Sequence, residues 1–128
     1  MDLSLTEEQD LIVSMVRRFV REEIVPLERD LDTDADELPP EHRARLIEKV
    51  KSMGLYGLDI PVEYGGPDVD LVTRTLIAIE TSQHRAGLYA PCYGVFGGAG
   101  LAQLFEANDD QKQRYLMPML RGEKRGFR

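Results

Sequence analysis

The sequence predicts an all-α domain, and three observations support this prediction. Apolar residues recur at helical spacing in several segments, capping residues precede these segments, and glycine or proline follows them. The 128 residues, 42% of them hydrophobic, suit one domain with a core of its own. We expect five helices, interrupted by an acidic linker at residues 30–41 and a stiff turn at residues 60–70.

The first helix is predicted to begin after Thr6, because Gln9 stands three residues farther on, in the spacing of a capping box. Paired apolar residues then mark one broad face that should turn towards a core. Pro26 is expected to end or kink this helix. The apolar face consists of Leu11, Ile12, Met15, Val16, Phe19, Val20 and Ile24.

The acidic linker, DLDTDADELPPE, carries acids at the ligand positions of an EF-hand calcium loop. However, Ala35 stands where that loop needs glycine for its sharp turn, and Pro39 and Pro40 stiffen the exit. We therefore predict a solvated linker without a calcium site. The acids in question are Asp30, Asp32, Asp34, Asp36 and Glu41.

Four further helices are expected after the linker. The second helix should end at Gly54, since glycine is the usual left-handed residue beyond a helix C-terminus. The third should be largely enclosed, because Val72, Leu76 and Ile79 lie at helical spacing and Leu71 and Ile77 widen the apolar stripe. The predicted spans are residues 40–54, 69–82, 86–105 with a kink at Pro91, and 108–122.

The turn at residues 60–70, IPVEYGGPDVD, separates the second helix from the third. Pro61 and Pro67 preset their own φ, while Gly65 and Gly66 permit backbone conformations that other residues avoid. Tyr64 is expected to pack against the domain, where its hydroxyl can satisfy a partner without taking part in catalysis. The turn is therefore predicted to be architectural.

The fourth predicted helix is unusually rich in small residues. Glycine inside a helix costs about 0.5–1 kcal/mol relative to alanine, so another group should approach this backbone closely. That group is either a neighbouring helix or an apolar ligand lying in the groove that the small residues leave. The small residues are Gly87, Ala90, Gly94, Gly97, Gly98, Gly100 and Ala102.

Composition and charge exclude several classes of partner. A formal net charge of -7 leaves no basic field, so nucleic acid is not expected to bind. Residues 86–105 are uncharged, but five glycines and a proline favour a buried helix over a membrane span. The start, MDLSLTEEQ, lacks the regions of a signal peptide, and the single cysteine cannot form an internal disulfide. We predict a cytoplasmic location.

Residues with catalytic potential are sparse. His42 and His84 lie far apart without metal-ligand spacing and are predicted to be surface or helix-end residues. Cys92 lacks electropositive neighbours in the sequence, which predicts a buried structural thiol. The segment GAGLAQ at residues 98–103 lacks the third glycine of a dinucleotide fingerprint, and no strand is predicted before it. We assign no catalytic, cofactor-binding or metal-binding residue.

The chain contains, in order, the segments LTEEQDLIVSMVRRFVREEIVP, MGLYGLDIPVEYGG, LVTRTLIAIETSQH and NDDQKQRYLMPMLRGEKRGF. In this order and spacing they resemble the N-terminal α-helical domain of the flavin-dependent acyl-CoA dehydrogenases, and together they extend over the whole chain. The resemblance implies a five- to six-helix up-and-down bundle over residues 1–128. It also implies that the EYGG turn lies on the side of the domain that faces the rest of the enzyme.

In the enzymes that this chain resembles, a glutamate removes the α-proton of an acyl-CoA thioester while FAD takes a hydride from the β-carbon. The resemblance further implies a middle β-domain, a C-terminal helical domain, a dimer or tetramer, and electron-transfer flavoprotein as the electron acceptor. The base and the flavin contacts belong to those other domains. Arg128 stands where relatives continue into a strand, so we expect a truncated or fragmentary chain that is inactive alone.

The resemblance places the wall of the acyl-chain pocket at the start of the fourth predicted helix. Small residues there suggest a deep or wide pocket, which the two tyrosines could refill. Two other functions stay open: a stand-alone α-helical interaction module, and a domain of a related flavin oxidase or hydroxylase. The candidate wall residues are Tyr89, Ala90, Pro91, Tyr93, Gly94 and Gly98.

Overall fold

The computed structural model describes residues 4–35, 37–97 and 102–121. These residues form an all-α domain, as the sequence predicted, but with four helices rather than five or six. Helix α1 comprises Glu7–Phe19, a π-helical turn at Val20–Ile24 and a last turn at Val25–Glu28. Helix α2 is Pro40–Ser52, helix α3 is Leu71–Thr81, and helix α4 comprises Asp109–Gln111, a π-helical turn at Lys112–Leu116 and Met117–Leu120.

Helix α1 begins as predicted and continues past its proline. The Thr6 hydroxyl accepts a hydrogen bond from the Gln9 amide at 3.1 Å, and the Gln9 side chain accepts one from the Thr6 amide at 3.0 Å. Pro26 does not end the helix, because the π-helical turn before it widens the backbone around a residue that cannot donate a hydrogen bond. Helix α4 likewise continues past Pro118, which follows the π-helical turn of that helix.

The main core lies between α1, α2 and α3. Helix α1 packs most extensively on α3, and α2 contributes Leu46 and Val50 to the same cluster. A smaller cluster joins the turn at residues 60–66 to α4 through Ile60 and Leu116. The fully buried side chains of the two clusters are Val16, Val20, Ile24, Leu46, Val50, Ile77, Cys92, Val95 and Leu116.

Helix α3 is enclosed on one side only, which corrects the prediction that it is largely buried. Ile77 is 1% exposed, whereas Leu71 is 74%, Val72 59% and Ile79 52% exposed. The buried side also carries polar residues, including Thr73 and Glu80. Glu80 forms an ion pair with Arg17 of α1. The apolar residues of α3 thus form two faces, and the outer face is an uncovered apolar surface in this chain.

The predicted fourth helix is absent from the described part of residues 86–105. In its place are turns over residues 85–90, a 3-10 turn at Pro91–Gly94 and a second 3-10 segment at Ala102–Glu106, while Gly98 and Gly100 lie outside the described residues. Cys92, Tyr93 and Gly94 all have positive φ, which is incompatible with a right-handed helix. The glycine-rich composition therefore produces left-handed turns rather than a tightly packed helix.

The turn at residues 60–66 is attached to α4, as the architectural prediction required. The ring of Tyr64 packs on Phe105 with centroids 4.9 Å apart, and the Tyr64 hydroxyl accepts a hydrogen bond from Lys112 Nζ at 3.0 Å. Gly66 has no room for a side chain, because a Cβ there would overlap the carbonyl oxygen of Ile60. The turn therefore follows a single tight path between α2 and α3.

Candidate functional site

Five of the six candidate acyl-wall residues lie in the segment that follows α3 and ends with the 3-10 turn at Pro91–Gly94. We define residues 84–94 as the wall segment. Tyr89 is 84% exposed, and its neighbour Leu88 is 81% exposed. Pro91 is exposed and Ala90 half-buried, whereas Gly98 lies outside the described residues. The segment therefore presents an apolar surface in its middle.

Tyr93 points the opposite way, into the domain. Its side chain is 4% exposed, and its hydroxyl donates a hydrogen bond to Glu28 Oε2 at 2.7 Å. The ring lies against the imidazole of His84, with centroids 5.3 Å apart. The two candidate tyrosines thus differ: Tyr89 is available to a ligand, whereas Tyr93 is part of the core of this domain.

The end of the wall segment is a left-handed turn. Cys92 has φ 48°, Tyr93 φ 53° and Gly94 φ 77°. A residue with a side chain in this conformation costs about 1–2 kcal/mol, so the surroundings must offset the strain at the first two positions. Two side chains bind the backbone here: His84 Nε2 accepts from the Cys92 amide at 2.8 Å, and Arg43 Nη1 donates to the Tyr93 carbonyl at 3.0 Å.

Glu28, in the last turn of α1, is the acceptor at the centre of this region. It is 5% exposed and accepts hydrogen bonds from the Tyr93 hydroxyl, the Arg85 amide at 3.0 Å and the Ala86 amide at 3.2 Å. The Arg85 guanidinium lies 3.7 Å from its Oε2. Burial by itself raises the pKa of Glu28, but the hydrogen bonds from Tyr93 and Arg85 outweigh burial and hold the pKa below its usual value. The carboxylate is therefore ionised at neutral pH.

His84 lies beside Glu28, two residues beyond the C-cap of α3, with a fully buried side chain. Of the two predicted alternatives, a surface or a helix-end residue, the surface position is therefore wrong. Because Nε2 accepts from the Cys92 amide, the hydrogen-bonding pattern assigns the ring proton to Nδ1. Nδ1 is 3.3 Å from Glu28 Oε1, but without the alignment of a hydrogen bond, so their contact is electrostatic. His84 thus connects the carboxylate to the strained backbone at Cys92.

The Cys92 thiol and the Tyr93 phenol are both protonated at neutral pH. Burial, followed by the charge of Glu28, raises the pKa of Cys92 to about 12. Burial, followed by the hydrogen bond to Glu28, raises the pKa of Tyr93 to about 12 as well. Neither group ionises near neutral pH, so neither is suited to act as a nucleophile there. The prediction that Cys92 is a buried structural thiol is confirmed.

Comparison with known proteins decides the family. Residues 6–123 match the family model described as "Acyl-CoA dehydrogenase, N-terminal domain". The chain belongs to this family. It is also 32% identical over 93% of its length to a probable acyl-CoA dehydrogenase of Bacillus subtilis, and 35% identical over 93% of its length to a 3-(aryl)acrylate reductase of Clostridium sporogenes. A short-chain-specific acyl-CoA dehydrogenase of Clostridium acetobutylicum is 31% identical over 98% of the chain.

This acyl-CoA dehydrogenase domain spans only part of those relatives. The matched region is 19% of the Bacillus protein, 30% of the acrylate reductase and 32% of the short-chain-specific enzyme. The four-helix architecture and the family match therefore describe one domain. Activities that depend on the other regions of these longer relatives are therefore only proposed for this chain.

The helix N-termini of this acyl-CoA dehydrogenase domain do not fit the phosphates of a dinucleotide. The first turn of α1 carries Glu7 and Glu8, and that of α4 carries Asp109 and Asp110. Helix α3 is capped by the carboxylate of Asp70, which accepts from the Thr73 amide at 2.8 Å. A pyrophosphate at these three N-termini would therefore meet a carboxylate beside the helix amides that it needs. The fourth N-terminus, that of α2, has Pro39 as its cap and Glu41 in its first turn.

Within the described ranges no helix has the length and apolar character needed to cross a bilayer. Among those residues there is also no group of three or more His, Cys, Asp or Glu side chains placed to hold a metal ion. Asp36 of the acidic linker lies outside the described residues.

Glu28 was the residue that inspection of the sequence missed. A glutamate near the end of an amphipathic helix is usually on the solvated face, so its charge alone drew no attention. The spacing of Glu28 did indicate burial. Glu28 continues the row of Val16, Val20 and Ile24 at intervals of four residues, and these three side chains are buried. An acid on a buried row requires partners, and here the wall segment supplies them.

Proposed function

We propose that this chain is the N-terminal domain of an FAD-dependent acyl-CoA dehydrogenase, in which the wall segment encloses the acyl chain of the substrate. The observation that carries this proposal is the family match over residues 6–123. The FAD, the catalytic base and the middle and C-terminal domains lie outside this chain. Homo-oligomerisation as a dimer or tetramer and electron transfer to electron-transfer flavoprotein belong to the same proposal.

The part of this chain in the reaction is to bind and shield the acyl chain. Leu88 and Tyr89 present apolar area, and each methylene that such a surface removes from water contributes about 0.8 kcal/mol of binding. Ala90 and Gly94 add little bulk beside them. This combination supports an acyl group that is long or bulky, and no proton transfer is assigned to a residue of this chain.

A reductase is the second candidate function. It is favoured by the 35% identity to the 3-(aryl)acrylate reductase of Clostridium sporogenes, a protein named for reduction rather than oxidation. Reduction of an arylacrylate adds a hydride and a proton across the double bond, which is the reverse of α,β-dehydrogenation. The wall segment would then contact an aryl group, for which the exposed ring of Tyr89 is a suitable partner.

The two functions are separated by one assay on the protein that carries this domain together with its flavin-binding part. Under anaerobic conditions a saturated acyl-CoA should bleach the visible flavin absorbance of the oxidised enzyme. An arylacrylate reductase should instead reoxidise the reduced flavin when the free arylacrylate is added. If the purified protein binds no flavin at all, both functions are wrong and the interaction-module alternative is favoured.

The 128-residue chain alone is expected to retain no flavin. The acidic first turns of α1 and α4 repel a pyrophosphate, and the carboxylate of Asp70 already caps α3. The measurement is the visible absorbance of the chain after incubation with excess FAD and gel filtration. A stoichiometric yellow chromophore that co-elutes with the chain would contradict this prediction.

A further inference from the structure

Glu28 connects the end of helix α1 to the wall segment and to nothing else by hydrogen bonds within the described residues. Its three donors are the Tyr93 hydroxyl and the amides of Arg85 and Ala86, all of which lie in residues 84–94. One carboxylate therefore holds both ends of the wall segment, with exposed Leu88 and Tyr89 between them.

The left-handed turn at the end of this segment depends on such support. Cys92 and Tyr93 adopt a strained backbone, and the residues that bind them come from different parts of the fold. Arg43 binds the Tyr93 carbonyl from α2, and His84 binds the Cys92 amide. Glu28 binds the Tyr93 hydroxyl and also lies 3.3 Å from His84 Nδ1, so its loss would weaken two of these supports at once.

We propose that Glu28 is a positioning residue, which fixes the path of the wall segment and thereby the acyl chains that the enzyme accepts. The second half of this inference rests on the proposed function, because it assumes that the wall segment contacts the acyl chain. The first half concerns the segment alone. Two readouts therefore distinguish failure of the positioning role from failure of the proposed function.

The first readout is the thiol of Cys92 in the 128-residue chain. Cys92 is the only cysteine, it is completely buried, and it lies in the wall segment, so its reaction rate with an aromatic disulfide reagent reports opening of that segment. Glu28→Gln replaces an acceptor oxygen by an NH2 group that faces donors. We expect the thiol rate to rise about tenfold to a hundredfold beyond the increase that the loss of global stability explains.

Glu23→Gln is the matched control. Glu23 lies on the same helix and also has a pKa below its usual value, because Arg45 and then Lys49 hydrogen-bond its carboxylate. Both partners belong to α2, so the loss of Glu23 should weaken the fold without releasing the wall segment. The thiol rate of this variant should follow global unfolding, as measured by urea denaturation.

Tyr93→Phe is the second variant, which removes one hydroxyl and keeps the ring. It should raise the excess thiol rate about tenfold, and it remains informative if Glu28→Gln does not fold. If the thiol rates of the folded variants equal those calculated from global unfolding alone, Glu28 is only a stabilising residue and the positioning role is overturned.

The second readout is substrate selectivity in the enzyme that contains this domain. Glu28→Gln should raise KM for long or bulky acyl-CoAs about tenfold, because only a long chain reaches the displaced wall. KM and kcat with a four-carbon substrate should both stay within about threefold. Glu23→Gln should leave the ratio of the two KM values unchanged. A faster thiol reaction with an unchanged KM ratio would overturn the link between the wall segment and the acyl chain.

Discussion

Replacing Gly66 with alanine is expected to lower the free energy of unfolding by about 3 kcal/mol or more. A Cβ at this position would overlap the carbonyl oxygen of Ile60, and it would also lie 3.1 Å from the Ile60 Cβ. Neither neighbour is the flexible end of a side chain, so the backbone of the turn must move. That movement would pull Tyr64 away from Phe105 and Lys112, which join the turn to α4.

Gly54→Ala is the control for this substitution. Gly54 has φ 75°, and a Cβ there meets nothing within 4 Å, so alanine would add backbone strain without overlap. The expected cost is about 1–2 kcal/mol. Urea denaturation of both variants measures the difference. Equal losses for the two variants would mean that the turn at residues 60–66 yields easily and does not follow a single tight path.

Local signals predicted the parts of the fold that depend on local physics. The capping box at Thr6 and Gln9 formed as expected, because both of its hydrogen bonds lie within four consecutive residues. The stop at Gly54 has the same local origin. Such signals need no knowledge of what the helix later contacts, so the sequence alone was sufficient for them.

The two main errors concern features that depend on tertiary context. The absence of charge in residues 86–105 was interpreted as a buried helix, although Pro91 and the glycines disfavour helix and the structure places left-handed residues at 92–94. On α3, the spacing of Leu71, Val72 and Ile79 was interpreted as a buried face, although these side chains are exposed. Apolar periodicity identifies a surface to be covered, but not whether the same domain covers it.

The position of the candidate wall residues stays a prediction from the family resemblance. Their sequence spacing does not distinguish Tyr89, which is on the surface, from Tyr93, which is in the core. The direction of Tyr93 is set by Glu28, which is 65 residues away along the chain. A contact of that separation leaves no local pattern beyond the buried row to which Glu28 belongs.

In the enzyme that contains this domain, Gly94→Leu is expected to lower kcat/KM for long or bulky acyl-CoAs by about one to two orders of magnitude. A four-carbon substrate should stay within a factor of about three, since it does not reach a side chain placed at the wall. The nearest atom to a Cβ at this position is Arg43 Nη1 at 3.8 Å, so a larger residue has room to project from the wall segment.

The backbone of Gly94 complicates this substitution and supplies its control. With φ 77°, leucine is strained there by about 1–2 kcal/mol whatever the substrate, and strain of that kind lowers activity with all chain lengths together. Gly54→Leu imposes similar backbone strain at the end of α2, so it should leave the dependence on chain length unchanged. A uniform loss in Gly94→Leu would mean that the substitution disturbs the fold, whereas no loss at any chain length would mean that Gly94 does not line the acyl pocket.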